Sequence, residues 1–76
     1  MSIGEYYVME SHYGQNGESG TLVSTYKEAE QMALEKLKND STIQRLYIEQ
    51  IDKNYYDNDG CYDDIDAHLV KWYKNN

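Results

Sequence analysis

The chain has 76 residues and a formal net charge of −7, because 14 acidic residues outnumber seven basic ones. This length leaves room for a single small domain, residues 1–76, and the charge argues against direct binding to nucleic acid, which requires a basic surface that neutralises phosphates. The 39% apolar content, with nine Tyr and one Trp, is typical of a folded chain and not of a disordered acidic tail.

The first 24 residues predict a β-hairpin. Residues 5–11 are rich in strand formers, with Tyr7 and Met9 on one face and Tyr6 and Val8 on the other. Residues 12–20 hold three of the five glycines, which suit a hairpin loop, and residues 21–24 form a short returning strand.

The following segment predicts a helix. Thr25 and Glu28 have the spacing of a capping box, so the helix should begin near Tyr26 and end where residues 39–41 change the chain direction. Apolar residues recur along one face of this helix, which we expect to pack against a sheet. These residues are Tyr26, Ala29, Met32, Ala33 and Leu37.

The last part of the chain predicts two further strands. Residues 43–51 fit either a helix or a strand, and their β-branched and aromatic content favours the strand. Residues 67–74 also favour a strand, although Ile65, Leu69, Trp72 and Tyr73 would share one face of a helix. The predicted fold is therefore α+β: a small antiparallel sheet with one helix packed on one face, in the order ββαββ. A second helix at the C-terminal end is the alternative.

The sequence indicates a cytoplasmic protein that is not an enzyme. No apolar run is long enough for a membrane helix, and residues 1–6 lack the basic start and apolar core of a signal peptide. Cys61 has no second cysteine to pair with, which fits a reducing compartment. His12 and His68 have no spacing that links them to Cys61 or to a serine motif, so we expect no catalytic residues, no metal and no cofactor.

Residues 52–66 contain six Asp and one Lys, and so hold −5 of the net charge of −7. With Gly60 as the sixth residue of an EF-hand calcium loop, three Asp residues fit ligand positions, but Tyr55 replaces the first ligand and Asp66 the bidentate Glu. A solvated turn is the simpler interpretation, because turns prefer Asp, Asn and Gly.

A third interpretation of residues 52–66 is a recognition surface. On an extended backbone Asp57 and Asp59 lie about 6.6 Å apart, a scale comparable with the spacing of phosphates along nucleic acid. A basic groove could accept these carboxylates, and tyrosines are enriched in protein interfaces. The candidate partner-binding residues are Asp57, Asp59, Asp63, Asp64, Asp66, Tyr55, Tyr56 and Tyr62.

The short length, the acidity, the capped helix after a hairpin and the acidic tyrosine-rich segment together resemble the small phage-encoded inhibitors of bacterial defence, the anti-CRISPR proteins in particular. The resemblance is one of class over the whole chain. It implies stoichiometric blocking of a basic nucleic-acid-binding surface on a bacterial protein or ribonucleoprotein in the host cytoplasm. It implies no direct binding to nucleic acid and no membrane. The alternative is a small cytosolic regulatory or weak calcium-binding domain with a different partner.

Overall fold

The described residues of the chain form one helix and four strands. The computed structural model describes the backbone of residues 4–56 and 62–75 and the side chains of residues 4–52 and 67–75. The elements are β1 (Tyr6–His12), β2 (Ser19–Val23), α1 (Tyr26–Asn39), β3 (Ile43–Tyr56) and β4 (Tyr62–Asn75). The predicted α+β class and the order ββαββ are confirmed.

The four strands form one antiparallel sheet in the order β2-β1-β3-β4. Two adjacent hairpins, β1–β2 and β3–β4, are thus joined side by side through β1 and β3. The strand interpretation of residues 43–51 is confirmed. That of residues 67–74 is confirmed too, so the alternative of a C-terminal helix is wrong. β3 and β4 are each 14 residues long, well beyond the predicted segments.

Two glycines turn the chain between β1 and β2. Gly14 and Gly17 have φ angles of +76° and +86°, which other residues rarely adopt. Gly20, the third glycine of the predicted loop, lies instead in β2 opposite Met9. A Cβ atom at Gly20 would lie 2.8 Å from the Met9 sulfur, so close packing explains glycine at this position.

The start of α1 follows the predicted capping pattern with one change. The Thr25 hydroxyl accepts a hydrogen bond from the Glu28 backbone N–H at 3.2 Å. The Glu28 carboxylate accepts in return from the backbone N–H of Ser24, at 3.3 Å, and not from that of Thr25. Two amides at the helix start therefore have partners, which stabilises the first turn.

The face of α1 that meets the sheet is narrower than predicted. Ala29 and Ala33 are fully buried, and their small side chains let the helix approach the sheet closely. Leu37 is 37% exposed, so its predicted burial is wrong. In the last turn Lys36 reaches back to Glu10 on the sheet, and Leu37 is rotated by about 100° from it toward solvent.

The hydrophobic core lies between α1 and one face of the sheet. Its fully buried members are Val8, Ala29, Ala33, Ile43, Leu46 and Ile48. Partly buried residues surround this cluster, among them Tyr6 and Tyr26, whose rings meet edge to face with centroids 5.8 Å apart. The core-facing residues of β3, Ile43, Leu46 and Ile48, are fully buried because α1 covers this face of the central strand.

The second hairpin continues past the rest of the sheet. β1 pairs with β3 as far as Gln50, and the backbone of Ile51 bonds to Gly4 and Glu5. Beyond this point β4 is the one strand among the described residues that pairs with β3, over the four residue pairs from Lys53 with Asp66 to Tyr56 with Tyr62. We call residues 52–66 the acidic arm.

Candidate functional site

The acidic arm is a hairpin of paired strands over most of its length. The sequence interpretation of residues 52–66 as a loop is therefore wrong for residues 52–56 and 62–66, which are strand. Two of the predicted site residues, Asp57 and Asp59, lie outside the described residues. The other six are strand residues: Tyr55, Tyr56, Tyr62, Asp63, Asp64 and Asp66.

The register of the arm brings acidic and aromatic positions of the two strands opposite each other. A shift in register after Tyr55 leaves Asp63 as the extra residue of a β-bulge. The pairs that follow Ile51 are Lys53 with Asp66, Asn54 with Ile65, Tyr55 with Asp64 and Tyr56 with Tyr62. Predicted site residues that are six and nine positions apart in the chain, Tyr56 with Tyr62 and Tyr55 with Asp64, are therefore neighbours across the ladder.

The strand structure of residues 55–56 and 62–66 also contradicts the EF-hand interpretation. In an EF-hand the calcium loop joins two helices, and its first and last residues are both ligands. Here the corresponding residues, Tyr55 and Asp66, belong to two antiparallel strands, β3 and β4. The EF-hand alignment of residues 55–66 is therefore not realised in the fold.

A side-chain contact joins the two strands at the base of the arm. Nδ1 of His68 lies 2.9 Å from both carboxylate oxygens of Asp52. His68 stands opposite Gln50 in the ladder, so this contact runs diagonally across the hairpin. Because both side chains are about half exposed, this pair adds little to stability but orients Asp52, the first acidic residue of the arm.

A second polar cluster, which the sequence analysis missed, joins α1 to β1. Glu10 is largely buried on the helix-facing side of β1, and its two oxygens contact Lys36 Nζ at 2.9 Å and His12 Nε2 at 3.0 Å. Nδ1 of His12 lies 2.7 Å from the Thr42 hydroxyl and 3.8 Å from Asp40. The alternation of Glu10 and His12 on one strand face was the only local signal of this cluster.

Both ring nitrogens of His12 face oxygen atoms in this cluster. The Thr42 hydroxyl donates its proton to Asp40 at 2.6 Å, so toward Nδ1 of His12 it can act only as an acceptor. Nε2 lies 3.0 Å from a carboxylate oxygen of Glu10. The ring is therefore held between β1 and the segment that follows α1.

Asp40 completes the cluster just after the end of α1. Its carboxylate accepts hydrogen bonds from the hydroxyl and the backbone N–H of Thr42. These bonds hold the pKa of Asp40 below its usual value, and the nearby His12 and Lys36 act in the same direction. Two acidic and two basic side chains thus meet at this point.

The same cluster offers donor atoms for a cation. Glu10, His12 and Asp40 each present one possible ligand atom, all within 4.8 Å of one another. A metal would have to replace the contacts of His12 with Glu10 and Thr42 and compete with the Lys36 ammonium for Glu10. Since every one of these groups already has a partner inside the protein, we assign the cluster a structural role: it fastens the end of α1 to β1.

Comparison of the chain with protein-family models, with curated proteins and with solved structures finds no match. Within the described residues, no helix is long and apolar enough to cross a membrane.

Proposed function

We propose that the chain is a stoichiometric protein-binding inhibitor whose acidic arm occupies a basic, nucleic-acid-binding surface of another protein. The observation that carries this proposal is the position of the arm, which holds −5 of the net charge and continues past the last residue pair of β1 with β3. A two-stranded ladder of this kind can enter a groove that the broader, helix-covered part of the sheet cannot.

The paired backbone of the arm supports this proposal. Residues two apart on a strand, such as Asp64 and Asp66, have Cα atoms about 6.6 Å apart. Strand pairing holds these positions in one arrangement before binding, so little conformational entropy is lost on association. A basic surface would attract such an arm over long range and accelerate encounter, while tyrosines in the same segment supply contact area.

The specific form of this proposal is an anti-defence inhibitor of the anti-CRISPR type. Size, acidity and the presentation of acidic residues on a projecting hairpin support it. Such an inhibitor would act in the host cytoplasm and displace nucleic acid from a bacterial defence complex. The chain itself should bind neither DNA nor RNA, because a surface of net charge −7 repels phosphates.

The test begins with capture of proteins from bacterial lysate on the immobilised chain at low salt. A captured protein should bind nucleic acid, and added chain should release that nucleic acid in a mobility-shift assay. The decisive comparison uses the arm variant Asp63→Asn/Asp64→Asn and the helix variant Glu30→Gln/Glu35→Gln. Each variant removes two negative charges and so changes the net charge from −7 to −5. Any difference in binding between the variants therefore reflects where the charges lie and not the total charge.

We expect the arm variant to bind the captured protein about tenfold more weakly, which corresponds to about 1.4 kcal/mol, mainly through slower association. The helix variant should bind within about twofold of the wild type. Equal loss in both variants would show that only the net charge matters. Unchanged release of nucleic acid by the arm variant, or a captured protein that binds no nucleic acid, would refute the proposal.

A further inference from the structure

The sheet face opposite α1 carries a row of apolar and aromatic residues. Val8, Leu46 and Ile48 point into the core, so their neighbours along β1 and β3 point to the other face. Antiparallel partners share a face, which extends this surface to β2 and β4. Its members, by register, include Tyr7, Met9, Leu22, Tyr47, Leu69 and Trp72. Three of them remain well exposed: Leu22, Leu69 and Trp72.

Tyr47 and Trp72 form an aromatic pair near the middle of this face. They stand opposite each other on β3 and β4, with ring centroids 4.6 Å apart and planes inclined by 49°. Trp72 is 42% exposed, although its indole ring is the largest side chain of the protein. Indole is also the aromatic ring that attracts a cation most strongly.

Two carboxylates converge on the same aromatic pair. The Tyr47 hydroxyl donates a hydrogen bond to Glu18, and Glu49, two residues along β3, lies close to the same hydroxyl. Burial, followed by these two carboxylates, raises the pKa of Tyr47 well above its usual value. One hydroxyl proton can serve only one of the two carboxylates at a time.

No Lys or Arg among the described side chains forms an ion pair with Glu18 or Glu49. Arg45 lies on the same face, two residues before Tyr47, yet it makes no ion pair with either carboxylate. The face therefore combines an exposed aromatic ring with two carboxylates that lack a cationic partner within the described part of the chain.

We propose that Trp72, Tyr47, Glu18 and Glu49 form a binding site for an arginine side chain from a basic segment of a partner protein. A planar guanidinium can stack on the indole ring while its N–H groups bond to the carboxylates, a combination that the compact lysine ammonium cannot match. The carboxylates repel nucleic acid, and the net charge of −7 on each copy opposes self-association through this face.

This inference goes beyond the proposed function, because the site involves none of residues 53–66 and can be tested without the partner of the arm. Trp72 is the only tryptophan of the chain, so its fluorescence reports directly on the site. The probe is a short glycine-rich peptide with two arginines, compared with peptides of the same length that carry lysine or citrulline instead. Citrulline keeps the shape of arginine but removes the charge.

We expect the arginine peptide to change the emission of Trp72 in a saturable way, the lysine peptide to bind several-fold more weakly, and the citrulline peptide to have no effect. Glu49→Gln should weaken arginine binding about tenfold, whereas Glu35→Gln, an exposed change on α1, should leave it unchanged. Tyr47→Phe keeps the ring and releases Glu18 from its hydrogen bond, so it should bind the peptide at least as well as the wild type.

Three results would overturn this proposal. The first is an equal response to the citrulline peptide, which would show apolar contact without recognition of the cation. The second is wild-type affinity in Glu49→Gln, with correct folding shown by far-UV circular dichroism. The third is a concentration-dependent change in Trp72 emission without peptide, together with a dimer in sedimentation, which would assign the face to a second copy of the chain.

Discussion

Two leucine-to-alanine substitutions with identical chemistry test the assignment of the core. Leu46 on β3 is fully buried between the sheet and α1, whereas Leu37 in the last turn of α1 is 37% exposed. The sequence pattern alone predicts that Leu37 is part of the buried stripe. In the structure only Leu46 is enclosed on all sides, so the two substitutions should differ strongly in their effect on stability.

The expected magnitudes follow from burial. Leu46→Ala removes a fully buried side chain and leaves a cavity, which should lower the free energy of unfolding by about 3 kcal/mol. A domain of this size has a total stability of about 4–11 kcal/mol, so this loss is a large part of the whole. Leu37→Ala leaves no closed cavity, and the better helix propensity of alanine offsets part of the lost contact, so it should cost about 1 kcal/mol or less.

Urea unfolding, followed by Trp72 fluorescence and by far-UV circular dichroism, measures both values. Coincident transitions for the two probes would justify a two-state analysis. If Leu46→Ala does not fold, Ile48→Val removes a single methylene from the same cluster and should cost about 1 kcal/mol. A loss for Leu37→Ala as large as that for Leu46→Ala would refute the assigned orientation of α1.

Two further predictions concern pH. The hydrogen bonds from Thr42 lower the pKa of Asp40 in the folded state, so their contribution to stability is present above the unfolded pKa and is lost as pH falls below about 4. Asp40→Asn should therefore flatten the decline of the unfolding free energy at acid pH. An unchanged slope would contradict this prediction. Burial, then Tyr26 and Glu30, raise the pKa of Tyr73, so the contribution of its hydroxyl to stability is present below about pH 10 and is lost as pH rises further. Tyr73→Phe should therefore reduce the loss of stability at alkaline pH. A variant that loses stability at alkaline pH as the wild type does would count against the burial of this hydroxyl.

The elements that depend on local interactions could be predicted from the sequence. The capping pair Thr25 and Glu28 defined the start of α1, because both partners lie within one turn of each other. The alternation of Tyr6 and Val8 with Tyr7 and Met9 predicted the first strand for the same reason. The acidic, tyrosine-rich composition of residues 52–66 was equally visible, since charge is a property of the sequence itself.

The tertiary structure decided how these elements meet. Pairing of β1 with β3 brings Glu10 and His12 beside residues about 30 positions away, such as Thr42, and no local pattern encodes such a contact. Pairing of β3 with β4 extends the predicted acidic loop into an arm and places Trp72 against Tyr47.

The helix shows the same division between local and long-range effects. Its periodicity identified a stripe that included Leu37, but an ion pair with Glu10 brings Lys36 to the sheet in the last turn. Local propensities thus determined the helix and the strands, and the composition determined the charge. The order of the strands, the residues that are buried and the surfaces that remain exposed depend on contacts between distant segments, whose energies exist only once the chain has folded.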